Sequence, residues 1–112
     1  MLTDEYRYKI LKELQQSPDV SQRELAKRLG ISLGKTNFCI KALIEKGLVK
    51  AGNFKRSSDK SKYLYLLTPK GIEERVSLTH QFLRRKLDEH EALTREIEGL
   101  RKEASSVSEH NT

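Results

Sequence analysis

The sequence predicts a mainly α-helical fold with one small β-hairpin: a compact domain followed by a long C-terminal helix. Three observations carry this. Before residue 48, apolar residues recur at three-and-four spacing in short segments bounded by Ser, Gly and Pro. Between residues 48 and 67 the period falls to two, and after Thr68-Pro69 the helical spacing returns and continues to about Glu103.

The elements follow in order. Residues 4–16, DEYRYKILKELQQ, carry Tyr6, Ile10, Leu11 and Leu14 at helical spacing, with acids in the first turn to complement the helix dipole, and Ser17-Pro18-Asp19 stops them. Val20-Ser21-Gln22-Arg23-Glu24-Leu25 then reads as a capping box: Ser21 accepts from the amide of Glu24, Glu24 reaches back, and Val20 and Leu25 form a hydrophobic staple. The short helix that starts at Gln22 buries Leu25, Ala26 and Leu29 and ends at Gly30, which tolerates the left-handed closing conformation. Ser32 caps a third helix from Leu33 to about Lys46, with Thr36, Ile40, Leu43 and Ile44 on its inner face and Gly47 as its stop. Two helices joined by Leu29-Gly30-Ile31-Ser32 make a helix-turn-helix.

Leu48-Val49-Lys50-Ala51 and Tyr63-Leu64-Tyr65-Leu66-Leu67 form the two strands of a hairpin. The loop between them is too long for a tight turn and carries Lys55, Arg56, Lys60 and Lys62 against Asp59. A long basic loop directly after a helix-turn-helix is a wing. Thr68 as N-cap and Pro69 at the first helical position open the last helix. Its apolar positions Ile72, Val76, Thr79 and Leu83 alternate steps of four and three, Leu87 shifts the seam by one, and His90, Leu93, Ile97 and Leu100 resume it. The domain offers too little surface to cover such a stripe, so the helix is expected to pair with a copy of itself. The alternative is a single helix folded back on the domain. The organisation expected is therefore residues 1–68 as a winged helix-turn-helix domain, 69–103 as a dimerisation helix and 104–112, small and polar, as a disordered tail.

Composition excludes several function classes. With 112 residues, 36% of them apolar, the chain builds one small core and no large catalytic cleft. It holds no apolar run long enough for a membrane span and no leader at its N-terminus, so a cytoplasmic protein is expected. Residues 1–70 hold 15 Lys/Arg against 7 Asp/Glu, whereas residues 71–112 hold 7 against 9. The positive field belongs to the N-terminal part and attracts a polyanion, nucleic acid before a membrane surface, because no basic amphipathic helix accompanies it. The single cysteine, Cys39, lies beside the core face and reads as a buried inert thiol. His80, His90 and His110 share no metal-ligand spacing with it, so no metal and no cofactor is expected.

One motif argues for an enzyme. Gly34-Lys35-Thr36 matches the end of a nucleotide-binding P-loop, but only Ile31, Ser32 and Leu33 separate Gly30 from the Gly-Lys pair where four residues are needed. The segment also follows a helix rather than a buried strand. On the helix-turn-helix reading, Gly30 turns the chain, and Gly34 and Lys35 lie in the first turn of the recognition helix.

The order of these parts, with GLVKAG, Asp59-Lys60 in the wing and LLTPKGI, resembles the MarR-type winged-helix transcriptional regulators over roughly residues 5–72. Within them SQRELAKRLGISLGKTNFCIKALIEKGLVK, YLYLLTPKGIEER and the long C-terminal helix are similar to the EPS-associated group, linked to exopolysaccharide biosynthesis genes. The resemblance implies a bacterial cytoplasmic regulator binding double-stranded DNA. Two departures stand out. The wing has Asp59-Lys60-Ser61 where Asp-Arg-Arg is usual, which moves one basic contact to Lys62 or removes it. The interleaved helical layer whose crevice binds phenolic effectors in that family is incomplete here, with one C-terminal helix and no preceding N-terminal one, so the resemblance stops short of a small-molecule effector.

The residues expected at DNA follow. Lys35, Asn37, Phe38 and Lys41 lie on the third helix opposite Thr36, Ile40 and Leu43. Asn37 suits adenine, Lys35 and Lys41 suit phosphate or guanine, and Phe38 suits a thymine methyl or else packs under the wing. Ser21, Gln22, Arg23, Ser32 and Gly34 at the two helix N-termini, with Lys55, Arg56, Lys60 and Lys62 in the wing, suit phosphate. A protein-interaction adaptor built on the same winged helix and coiled coil is the alternative function.

Overall fold

A computed structural model describes residues 2–53 and 63–110. Its elements run α1 (Asp4–Gln16), α2 (Gln22–Leu29), α3 (Leu33–Glu45), β1 (Val49–Asn53), β2 (Tyr63–Leu67) and α4 (Pro69–His110). The chain divides into two compact units, Met1–Thr79 and His80–Thr112.

Local chemistry sets the helix ends. Thr3, Ser21 and Ser32 are extended N-caps whose hydroxyls accept from the amides of Tyr6, Glu24 and Lys35. In the α2 box the reverse bond expected from Glu24 is not made; its carboxylate turns to Arg28 at 3.5 Å, a partner one helical turn away. Gly30 closes α2 at φ 68°, where its lack of Cβ removes the usual penalty, and the Ile31 amide reaches back to the Ala26 carbonyl.

The core of the first unit gathers Ile10, Leu11 and Leu14 of α1, Leu25 and Ala26 of α2, and Thr36, Cys39, Ile40 and Leu43 of α3. Leu48, Val49, Tyr65 and Leu78 join them. Each fully buried Leu or Ile contributes about 1.5–3 kcal/mol. Cys39 is buried, as the inert-thiol reading requires. Leu29 is only half-buried, and Ile44, expected on the inner face, is 37% exposed at the last turn of α3.

The hairpin is antiparallel, pairing Val49 with Leu67 and Asn53 with Tyr63. β1 therefore runs two residues beyond the expected Ala51, because in-register pairing draws Gly52 and Asn53 into the ladder against Leu64 and Tyr63. β2 is further tied to the α1–α2 connection by the Tyr65 amide, which donates to the Pro18 carbonyl at 3.0 Å.

The expected boundary at residue 68 moves to Thr79, because the first turns of α4 belong to the core unit. Thr68 donates to the Gly47 carbonyl and accepts from the Gly71 amide, and Lys70 donates to the Lys46 carbonyl, so the start of α4 satisfies the end of α3. Gly71 is buried so tightly that a Cβ there would stand 2.0 Å from the Leu48 carbonyl oxygen. The tail expected to be disordered is likewise corrected: α4 continues from Ala104 to His110. No Pro or Gly stands in that stretch, and extending an existing helix carries none of the nucleation cost.

Candidate nucleic-acid interface

The N-terminal halves of α2 and α3 meet at one polar cluster. Gln22, at the first position of α2 and half-buried, donates from Nε2 to the Tyr65 hydroxyl at 3.0 Å and to Asn37 Oδ1 at 3.4 Å. Asn37 is thereby fastened to a strand residue through α2. Lys35, one turn before Cys39, places its Nζ over the Tyr6 ring, 4.3 Å from the centroid, an attraction between the cation and the ring's negative face. Two of the four residues expected at DNA on α3, Lys35 and Asn37, are thus held by side chains from other elements.

Phe38 is 56% exposed and lies off the Thr36, Cys39, Ile40 and Leu43 face that α3 buries, whereas the wing of the packed-under-the-wing alternative lies outside the described residues. Lys41 and Arg23 are exposed, and Ser21 and Ser32 are exposed caps. At Gly34 an added Cβ would meet nothing within 4 Å, so the protein's own packing does not require the glycine. Lys55, Arg56, Lys60 and Lys62 lie outside the described residues.

Arg28 takes no part in this cluster. It binds Glu13 of α1 at 3.0 Å and Glu24 at 3.5 Å, and its pKa is raised chiefly by the hydrogen bond to Glu13, with desolvation opposing and Glu24 assisting. Sequence pattern does not single out Tyr6 and Tyr65 as site residues. Period-two alternation points Tyr65 to one face of β2, but its partner Gln22 is a non-local neighbour that no local pattern names.

The positions expected to pair with a second copy lie on α4. Ile72, Val76, Leu83, Leu87, Leu93, Ile97 and Leu100 are between 41% and 63% exposed, and Thr79 and His90 are exposed with them. Ala104 and Val107 extend the same spacing on the corrected helix, both exposed. Among the described residues no group of His, Cys, Asp and Glu is placed to hold a metal ion, and no helix is long and apolar enough to cross a membrane.

Residues 3–50 match the family model of the winged helix-turn-helix DNA-binding domain. Together with the paired strands after α3, that decides the fold. The domain is a winged helix-turn-helix.

Solved structures with this winged helix include transcriptional regulators. PcaV from Streptomyces coelicolor, in complex with its natural ligand, is 23% identical, with a TM-score of 0.61 over 70% of this chain and 54% of its own. FabT from Streptococcus pneumoniae, in complex with DNA, is 20% identical, with a TM-score of 0.59 over 74% and 56%. A mutant MarR from E. coli, complexed with operator DNA, is 25% identical, with a TM-score of 0.61 over 75% and 58%. The chain thus spans little more than half the length of each of them. A comparison with curated proteins finds no match. The P-loop reading ends at the winged helix: Gly34-Lys35-Thr36 occupies the first turn of α3, behind a helix rather than a strand.

Proposed function

We propose that the chain is a sequence-specific regulator of transcription in the bacterial cytoplasm, binding double-stranded DNA as a homodimer and acting on exopolysaccharide biosynthesis genes. The observation that carries the DNA reading is the outer face of α3, where Asn37, Phe38 and Lys41 stand on a rigid, doubly capped helix beside the exposed caps of α2 and α3. A major groove admits such a helix, and these side chains suit base edges and methyl groups. Ser21, Gln22, Arg23, Ser32, Gly34 and Lys35 would surround the phosphates, where two helix N-termini favour negative charge. Lys55, Arg56, Lys60 and Lys62 of the wing would bind the DNA backbone as well. The link to exopolysaccharide genes rests on the resemblance of residues 21–50 and 63–75 to that group.

Selecting bound fragments from random duplex DNA tests the whole reading. A single enriched sequence with two-fold symmetry, bound with steep salt dependence, is the expected result. No enrichment, with weak and salt-insensitive binding, would instead favour the adaptor, for which the exposed stripe of α4 is the supporting observation.

A further inference from the structure

The geometry points to an antiparallel pairing of α4 with the α4 of a second copy, in one register, about a two-fold axis beside Leu87. This rests on the homodimer proposed above and goes beyond it by fixing direction and partners.

The corrected length of α4 supplies the argument. With the helix running to His110, one strict heptad accounts for the stripe from Ile72 to Val107, with Lys86 and His90 as two consecutive polar positions in its middle and Leu87 just beside the seam. A parallel pair would stack Lys86 on the partner's Lys86 in a buried layer, where like charges repel at short range. An antiparallel pair sets each first heptad position against the partner's fourth.

One antiparallel register places Lys86 beside the partner's His90 and so collects both polar positions into two symmetric layers. The remaining layers are then apolar or small: Leu83 meets the partner's Leu93, Thr79, whose hydroxyl donates to the Arg75 carbonyl of its own helix, the partner's Ile97, Val76 the partner's Leu100 and Ile72 the partner's Ala104. Sliding by one heptad either way puts Lys86 against the partner's Ile97 or the partner's Leu83, which leaves a charge facing hydrocarbon.

The flank that carries Leu87 agrees with that register. Glu73 falls beside the partner's Arg101 at both ends of the pair, and Leu87, 59% exposed in the single chain, closes on the partner's Leu87 beside the axis. That gives the off-seam leucine a partner of its own kind. Lys86 already binds Glu89 on its own helix at 3.1 Å, which offsets part of its charge.

Charge reversal in the full-length chain distinguishes the arrangements. Arg101→Glu places like charges together in either direction and should weaken the dimer about ten-fold, since the change occurs twice per dimer. In the antiparallel register, adding Glu73→Arg restores the association. In a parallel pair Arg101 lies instead beside the partner's Glu96, so only Glu96→Arg would restore it. Sedimentation equilibrium on the wild type, the single variant and both double variants, each checked for helix content by circular dichroism, reads the result. Restoration by Glu73→Arg alone is expected. Restoration by Glu96→Arg alone, or an Arg101→Glu dimer of unchanged strength, overturns the register while leaving the dimer standing. A wild-type chain that stays monomeric at micromolar concentration overturns both.

Discussion

Helix α3 and the part of α4 beyond Thr79 are built from similar apolar spacing, yet they end in opposite states. α3 buries Thr36, Cys39, Ile40 and Leu43, and two residues near its start are held by Tyr6 and, through Gln22, by Tyr65. From His80 to Val107, α4 buries no side chain, and Leu83, Leu87, Leu93, Ile97 and Leu100 stand largely in solvent. The difference teaches that a helical apolar stripe specifies a need for cover without specifying its source. α3 is covered by its own domain, whereas the stripe of α4 stays exposed in the single chain.

The sharpest way to break that contrast lies at the start of α4. Gly71→Ala should cost about 3 kcal/mol or more, because the new methyl would overlap the Leu48 carbonyl and neither backbone can yield cheaply. Urea denaturation measures this. A loss below about 1 kcal/mol would mean that the first turn of α4 is not seated on the domain.

Leu78 and Leu93 carry the comparison onto one helix. Leu78 is fully buried, so Leu78→Ala should destabilise the domain by about 2–5 kcal/mol. Leu93→Ala should leave the stability of the dilute chain nearly unchanged and weaken self-association instead. Equal effects on unfolding would place both residues in one core. Truncation after Thr79 is expected to leave a folded monomeric domain, whereas ending at residue 72 would remove Leu78.

On α3, Asn37→Ala should cost about 1–3 kcal/mol at the preferred site and little on random duplex, measured at one fixed salt concentration. Tyr65→Phe keeps the ring and deletes the hydroxyl that receives Gln22, so a smaller loss of the same preference is expected. If Asn37→Ala keeps full preference, readout lies with Phe38 and Lys41 or with DNA shape. The smallest effect concerns the wing: replacing Lys55 and Arg56 with Ala should flatten the salt slope by about one unit for each phosphate that is no longer neutralised.

Most of the fold is legible because its boundaries are local. Ser21 and Ser32 as caps, Gly30 as a stop and Thr68-Pro69 as a start each act within a few residues, and the structure keeps all of them. What the sequence conceals is non-local. Leu78 lies off the apolar stripe and looks incidental until α4 is laid against the core. Gly71 looks like a poor helix residue until the Leu48 carbonyl arrives beside it. Helical period leaves both Cys39 and Ile44 as neighbours of the inner face of α3, and only the packing decides that Cys39 is buried while Ile44 stays 37% exposed. Of the candidate interface, the outer residues of α3 are readable from helical period, but the tyrosines that hold two of them are not.

The junction of α3 and α4 has a mechanical meaning. The carbonyls of Lys46 and Gly47, at the end of α3, are gripped by Lys70 and Thr68, and Gly71 lets the two backbones touch without an intervening side chain. A joint with hydrogen bonds on one side and bare backbone on the other has no clearance to take up. A load applied to the first turn of α4 is therefore expected to arrive at the end of α3 undiminished, and to tilt that rod from its tail rather than be absorbed by rearranging side chains.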